Sequence, residues 1–152
     1  MQSGQTISHN SGMSRTLHMS AIAGRLWFTA TDGSTGIEPW VTDGTAAGTQ
    51  LVADLVPGAA GSTPRLFTAY GSRVVFSAPS SAEPTSSSLW ISDGTAPGTH
   101  EVVGWRISAF NAGDVIEVNG RVVYSGFSHG HGTEPFVSDG TAQGTGLLAD
   151  IN

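Results

Sequence analysis

Asp43-Gly44-Thr45-Ala46-Ala47-Gly48-Thr49, Asp93-Gly94-Thr95-Ala96-Pro97-Gly98-Thr99 and Asp139-Gly140-Thr141-Ala142-Gln143-Gly144-Thr145 are three copies of one phrase, DGTAxGT, separated by 50 and then 46 residues. A repeat of that period marks a chain built from one supersecondary unit used several times, as in propellers and solenoids. The phrase has the chemistry of a turn. An Asp carboxylate accepts hydrogen bonds from N–H groups one or two residues on, the following Gly takes a positive φ at no steric cost, and the Thr adds a hydroxyl. Asp43, Gly44, Thr45, Asp93, Gly94, Thr95, Asp139, Gly140 and Thr141 are therefore read as structural turn residues.

Working outward from the phrase, the regularity continues. Arg25, Arg73 and Arg121 are spaced by 48 residues, and each opens an apolar run: Leu26-Trp27-Phe28, Val74-Val75-Phe76 and Val122-Val123-Tyr124. Before each Arg stands a two-residue turn signal, Ala23-Gly24, Gly71-Ser72 or Asn119-Gly120, and before each turn another apolar pair. Such a pattern predicts a tight hairpin. The third strand is Pro39-Trp40-Val41, Leu89-Trp90-Ile91 or Pro135-Phe136-Val137. The fourth follows the phrase at Gln50–Ala53, His100–Val103 and Gly146–Ala149. Four short strands in about 48 residues match one propeller blade. The expected fold is all-β: a β-propeller of four-stranded antiparallel blades, three per chain, at about 16–55, 65–103 and 113–151, after a polar tail at 1–15. No stretch carries an uninterrupted apolar period of 3.6, so no helix is expected.

Composition narrows the partners. The chain has 152 residues, a formal charge of −6, six basic residues that are all arginine, and no cysteine. Scattered arginines on an acidic chain do not make a phosphate-tracking face, so nucleic acid is excluded as an expected partner. An anionic membrane surface is excluded on the same ground. Residues 1–15 lack the apolar core of a signal peptide, and no segment approaches 18 apolar residues. The absence of cysteine removes disulfides, thiolate catalysis and Cys-based metal sites.

Glu38-Pro39-Trp40-Val41-Thr42-Asp43-Gly44-Thr45, Ser88-Leu89-Trp90-Ile91-Ser92-Asp93-Gly94-Thr95 and Glu134-Pro135-Phe136-Val137-Ser138-Asp139-Gly140-Thr141 resemble the ELWxxDGT repeat found in tandem in secreted bacterial proteins. Asp54-Leu55-Val56-Pro57-Gly58 resembles the DIxPG ending of that repeat, whereas Gly104-Trp105-Arg106 departs from it. The turn is also similar to the Asp-box hairpin of sialidase-like propellers. The resemblance implies a propeller in an extracellular or cell-surface setting, and little about ligand or reaction.

Three blades leave two apolar end faces, and known propellers close with roughly four to eight blades. A homodimer closing a six-bladed ring is the expected partner arrangement. Loops between second and third strands, and linkers between blades, open on one face, where ligands of propellers commonly bind. By that fold-level analogy Asp32, Glu83, Trp105, Arg106, His129 and His131 form the candidate recognition surface for a glycan or protein.

Enzyme readings are weaker. Gly126-Phe127-Ser128-His129-Gly130 fits GxSxG, but a nucleophile elbow needs a strand turning into a helix with acid and histidine downstream. His129 and His131 make an HxH pair with Glu134 the single nearby acid, fewer ligands than a closed metal site requires. Each DGTAxGT phrase brings one carboxylate, against the several of a calcium loop. No catalytic residue, metal or cofactor is assigned. The expected function is a non-enzymatic recognition or adhesion module. The alternatives are a structural spacer of a larger extracellular array, and a channel-centred hydrolase or lyase.

Overall fold

The structure, a computed structural model, describes residues 18–107, 115–128, 130 and 132–151. Its described residues form twelve strands and no helix: β1 (Met19–Ile22), β2 (Arg25–Ala30), β3 (Glu38–Thr42), β4 (Gln50–Leu51), β5 (Arg65–Tyr70), β6 (Arg73–Pro79), β7 (Ser87–Ser92), β8 (His100–Ile107), β9 (Val115–Val118), β10 (Arg121–Ser128), β11 (Gly132–Ser138) and β12 (Gly146–Leu147). They fall into three four-stranded antiparallel units, β1–β4, β5–β8 and β9–β12, each pairing in chain order.

The first turn of each unit is the predicted two-residue hairpin. Ile22 pairs with Arg25, Tyr70 with Arg73 and Val118 with Arg121. Ala23, Gly24, Asn119 and Gly120 all have positive φ, the twist that a type I′ turn requires.

Alternation along the strands sets how the units stack. In β6, Val74, Phe76 and Ala78 join Trp27, Val41 and Val52 of the first unit in one apolar core, with the Phe67 ring 6.2 Å from Trp27 and 5.5 Å from Phe76. The intervening Val75 faces the other way. With Leu89, Ile91 and Val102 it meets Val115, Val122, Tyr124 and Phe136 of the third unit. The middle sheet is thus buried on both faces, and its strands read as continuous apolar runs for that reason. The outer sheets each bury one face. Each fully buried side chain in these two seams contributes about 1.5–3 kcal/mol by removal from water.

Three details differ from the sequence expectation. β4 and β12 are two residues long rather than four, because the chain leaves the ladder after Leu51 and Leu147. Val52 and Leu148 each keep one bond to the third strand, to the carbonyls of Pro39 and Pro135. The second unit does not stop at Val103 but runs on to Ile107. β8 pairs Leu89 with Val102 and then Ser88 with Arg106, which leaves Val103, Gly104 and Trp105 as three inserted residues in a bulge. Beyond the bulge Arg106 and Ile107 pair with Phe127 and Gly126 of β10, so the second and third units join edge to edge. β5 carries a smaller bulge of one residue at Leu66, whose φ is 62°.

Candidate functional site

The repeated phrase is a closed hydrogen-bond circuit, the same in all three units. Asp43 Oδ1 accepts the Thr45 N–H at 2.9 Å and the Thr45 hydroxyl at 2.7 Å, while Thr45 Oγ1 accepts the Gly48 N–H at 2.9 Å. Asp93 and Asp139 repeat this with Thr95 and Thr141. The residue before each Asp, unnoticed from sequence, closes the circuit. Thr49 donates its hydroxyl to the Thr45 carbonyl, so in the 2.7 Å contact between Thr42 and Thr49 the donor is Thr42, whose oxygen in turn accepts the Gly44 N–H. Ser92 and Ser138 do the same for Thr99 and Thr145.

Both glycines of the phrase are explained. Gly44, Gly94 and Gly140 have φ of 92°, 94° and 86°. A Cβ at Gly48, Gly98 or Gly144 would land inside the Asp carboxylate. Thr45 and its counterparts, donating first by side chain and then by backbone, hold Asp43, Asp93 and Asp139 below the usual carboxylate range. Arg25, Arg73 and Arg121 add a smaller electrostatic contribution to the Asp of the same unit. The arginine column thus serves the turns.

The loops joining second to third strands, and the linkers between units, lie at the opposite end of the sheets. In the first unit they are locked together. The Thr63 N–H bonds to the Ile37 carbonyl at 2.9 Å, and Gly36 and Gly61 lie so close that a Cβ on either would enter the other's backbone. Asp32 sits here, exposed, and Oδ1 accepts the N–H and hydroxyl of both Ser34 and Thr35. The N–H bonds from Thr35 and Ser34 lead in depressing its pKa. Glu83 occupies the equivalent loop of the second unit, where Oε2 accepts the Ser86 hydroxyl at 3.3 Å. Beside it Ser81 gives its N–H, at 3.0 Å, and its hydroxyl to Glu101 of β8. Burial pushes the Glu101 carboxyl up, but bonds from Ser81, Ser88 and Ser80 outweigh it and leave it lowered.

Two of the predicted positions move. Trp105 and Arg106 are not in a between-unit loop: both belong to β8, because the bulge lets the strand continue onto β10 where a linker was expected. His129 and His131 lie outside the described residues. The GxSxG segment makes no elbow among the described residues, since Gly126, Phe127 and Ser128 form the end of β10 and pair with Glu134, Thr133 and Gly132 of β11. Among the described residues no three His, Asp or Glu side chains cluster as metal ligands.

Sequence reasoning missed two buried carboxylates. Glu38 is fully buried at the start of β3. It accepts N–H groups from Leu55, Val56 and Ser62, and the Ser62 hydroxyl, so it pins the linker to the sheet. Burial raises its pKa against those bonds. Glu134 is its counterpart in β11, 2% exposed, with the Ile151 N–H on Oε2 at 3.1 Å and no hydrogen-bond partner on Oε1. The available signal was the Glu that opens two of the three ExW/F phrases. Compared with known proteins, the chain matches no family model, no curated protein and no solved structure.

Proposed function

We propose that this chain is a non-enzymatic recognition module of the β-propeller type, related to the ELWxxDGT repeats of secreted or surface bacterial proteins. In this reading it binds glycan or protein through the loops at the end of the sheets opposite the DGTAxGT turns. One observation carries the reading: the repeated Asp, Thr and Ser side chains are all bonded within their own turns, so the repeat builds scaffold and leaves recognition to the loops that do not repeat. The seat of binding in the described residues is Asp32 and Glu83 in equivalent loops of adjacent units, on a base stiffened by the Gly36–Gly61 contact. Exposed carboxylates braced by neighbouring Ser and Thr donors, on loops whose sequence differs from unit to unit, suit hydroxyl-rich glycans, or donor groups on a protein surface.

A glycan array together with a pull-down from the chain's native surroundings tests this. Binding that falls on Asp32→Ala with Glu83→Ala, and survives Arg25→Gln at the far end, is the expected result. Silence in both assays removes the proposal. The bare end faces favour a second reading, a structural assembly unit, which predicts oligomers and no ligand.

A further inference from the structure

The two seams inside the chain use the same positions in the same sense. The side of each sheet that carries Trp27 and Val41 in the first unit, or Val75 and Ile91 in the second, packs on the side of the next sheet that carries Val74, Phe76 and Trp90, or Val122, Tyr124 and Phe136. By strand register the first face recurs bare on the third unit as Val123, Val137 and Leu148. The second recurs on the first unit as Leu26, Phe28 and Trp40. Both carry apolar groups in water: Ile116 is 49% exposed, Val118 44% and Met19 61%. Yet Phe67 and Val115, the counterparts of Met19, are core residues of the two seams.

The turn glycines tell the same story. A Cβ on Gly94 would meet Arg25 and Trp27 of the preceding unit, and one on Gly140 would meet Ile91 and Tyr70, but at Gly44 there is nothing within 4 Å. Tyr70 fixes the second seam by reaching the carbonyls of Asp139 at 2.8 Å and Gly120 at 3.1 Å; its counterpart on the bare face is Val118.

We infer that the bare face of the third unit takes the bare face of the first unit of a second copy of this chain. Glu134, whose Oε1 is buried without a hydrogen-bond partner, is among the residues lining a cavity of about 320 Å³, with Ile116, Val123, Pro135 and Ile151. At the first seam the equivalent oxygens of Glu38 are met by Ser62, three residues ahead of β5. In the sequence Ser14 stands 48 residues before Ser62, the spacing of the repeat. The second seam has neither member, with Ser88 in the Glu position and Phe110 in the Ser position. Glu and Ser therefore occur together or not at all at the three junctions, once the junction is drawn between copies.

Face meets unlike face, so the contact is heterologous and must close into a ring or grow. Among multiples of three blades only six falls within the four to eight at which propellers close, so two copies complete the ring. This inference rests on the propeller reading above.

Sedimentation equilibrium at tens of micromolar tests it, with a particle of twice the 15.6 kDa chain mass expected. Met19→Glu and Val118→Glu each disable one face at an exposed position. Each alone should sediment as a single chain, and an equimolar mixture should recover a two-chain particle through its one intact junction. A single-chain wild type, unlimited growth on concentration, or either Glu variant remaining dimeric by itself overturns the inference. A dimer that binds no glycan or protein keeps the junction and removes the recognition proposal. A monomer that binds does the reverse.

Discussion

Phe76 and Phe28 are the same residue at the same register position of adjacent sheets, and they differ in whether another sheet lies on top. The Phe76 ring is fully buried, 5.5 Å from Phe67, and paired across the ladder with Trp90. Truncation to Ala removes the ring from water-free contact and leaves a cavity that a doubly covered sheet cannot collapse. The cost expected is about 3–5 kcal/mol. For a domain of this size about 1 kcal/mol lowers Tm by roughly 2–4 °C, so Phe76→Ala should melt roughly 6–20 °C below wild type. Phe28 is only partly buried. In dilute single chains Phe28→Ala should cost about 1 kcal/mol, since roughly half of a side-chain burial is lost and no closed cavity forms. At high concentration the order changes: Phe28→Ala should weaken association while Phe76→Ala should not. Urea unfolding followed by tryptophan fluorescence at a hundredfold range of protein concentration measures both. Equal costs in dilute chains, or a concentration dependence confined to Phe76→Ala, would refute the alternating-face reasoning.

Tyr124→Phe should raise stability by about 1 kcal/mol in urea titrations, because the Tyr124 hydroxyl is buried without a partner and burial alone pushes its pKa up. Gly126→Ala should destabilise by about 1–3 kcal/mol, since the added Cβ enters the Phe136 ring; the same position holds Ala30 and Ala78 in the other sheets, and addition of Phe136→Leu should recover part of the loss. Acid should unfold the protein through its turns. Asp32, Asp43, Asp93 and Asp139 are all held below their unfolded values, so their contribution is complete above about pH 4 and disappears as pH falls through the folded values. The raised Glu38 acts with the opposite sign, losing stability as pH rises through its folded value. Circular-dichroism melts from pH 7 to 2 should show Tm falling below pH 4, and the triple variant Thr45→Val, Thr95→Val, Thr141→Val should flatten that fall.

What was legible in the sequence was local. The Asp–Thr–Gly circuit closes within seven residues, so its side chains and first glycine follow from turn chemistry, and the hairpins at Ala23-Gly24 and Asn119-Gly120 follow from their φ requirements. The second glycine of the phrase was legible as a repeat, but its reason, the carboxylate that fills the space of a Cβ, is three-dimensional. β8 was misread because Gly104-Trp105-Arg106 looks like a linker. Only pairing with β10, twenty residues on, shows the strand resuming after a bulge. Glu38 and Glu134 were read as parts of a motif rather than as buried acceptors, since burial of a carboxylate depends on N–H groups that reach it from 17 to 24 residues away.

Isotope-filtered NOE spectroscopy on an equimolar mixture of labelled and unlabelled chains tests the stacked-sheet account most directly. Cross-peaks between chains are expected from Leu26 and Phe28 of one copy to Val123 and Ile116 of another, mirroring the contacts of Val74 and Phe76 inside the chain. Cross-peaks between chains that join like faces, or none at all at concentrations where the particle has twice the chain mass, would contradict it.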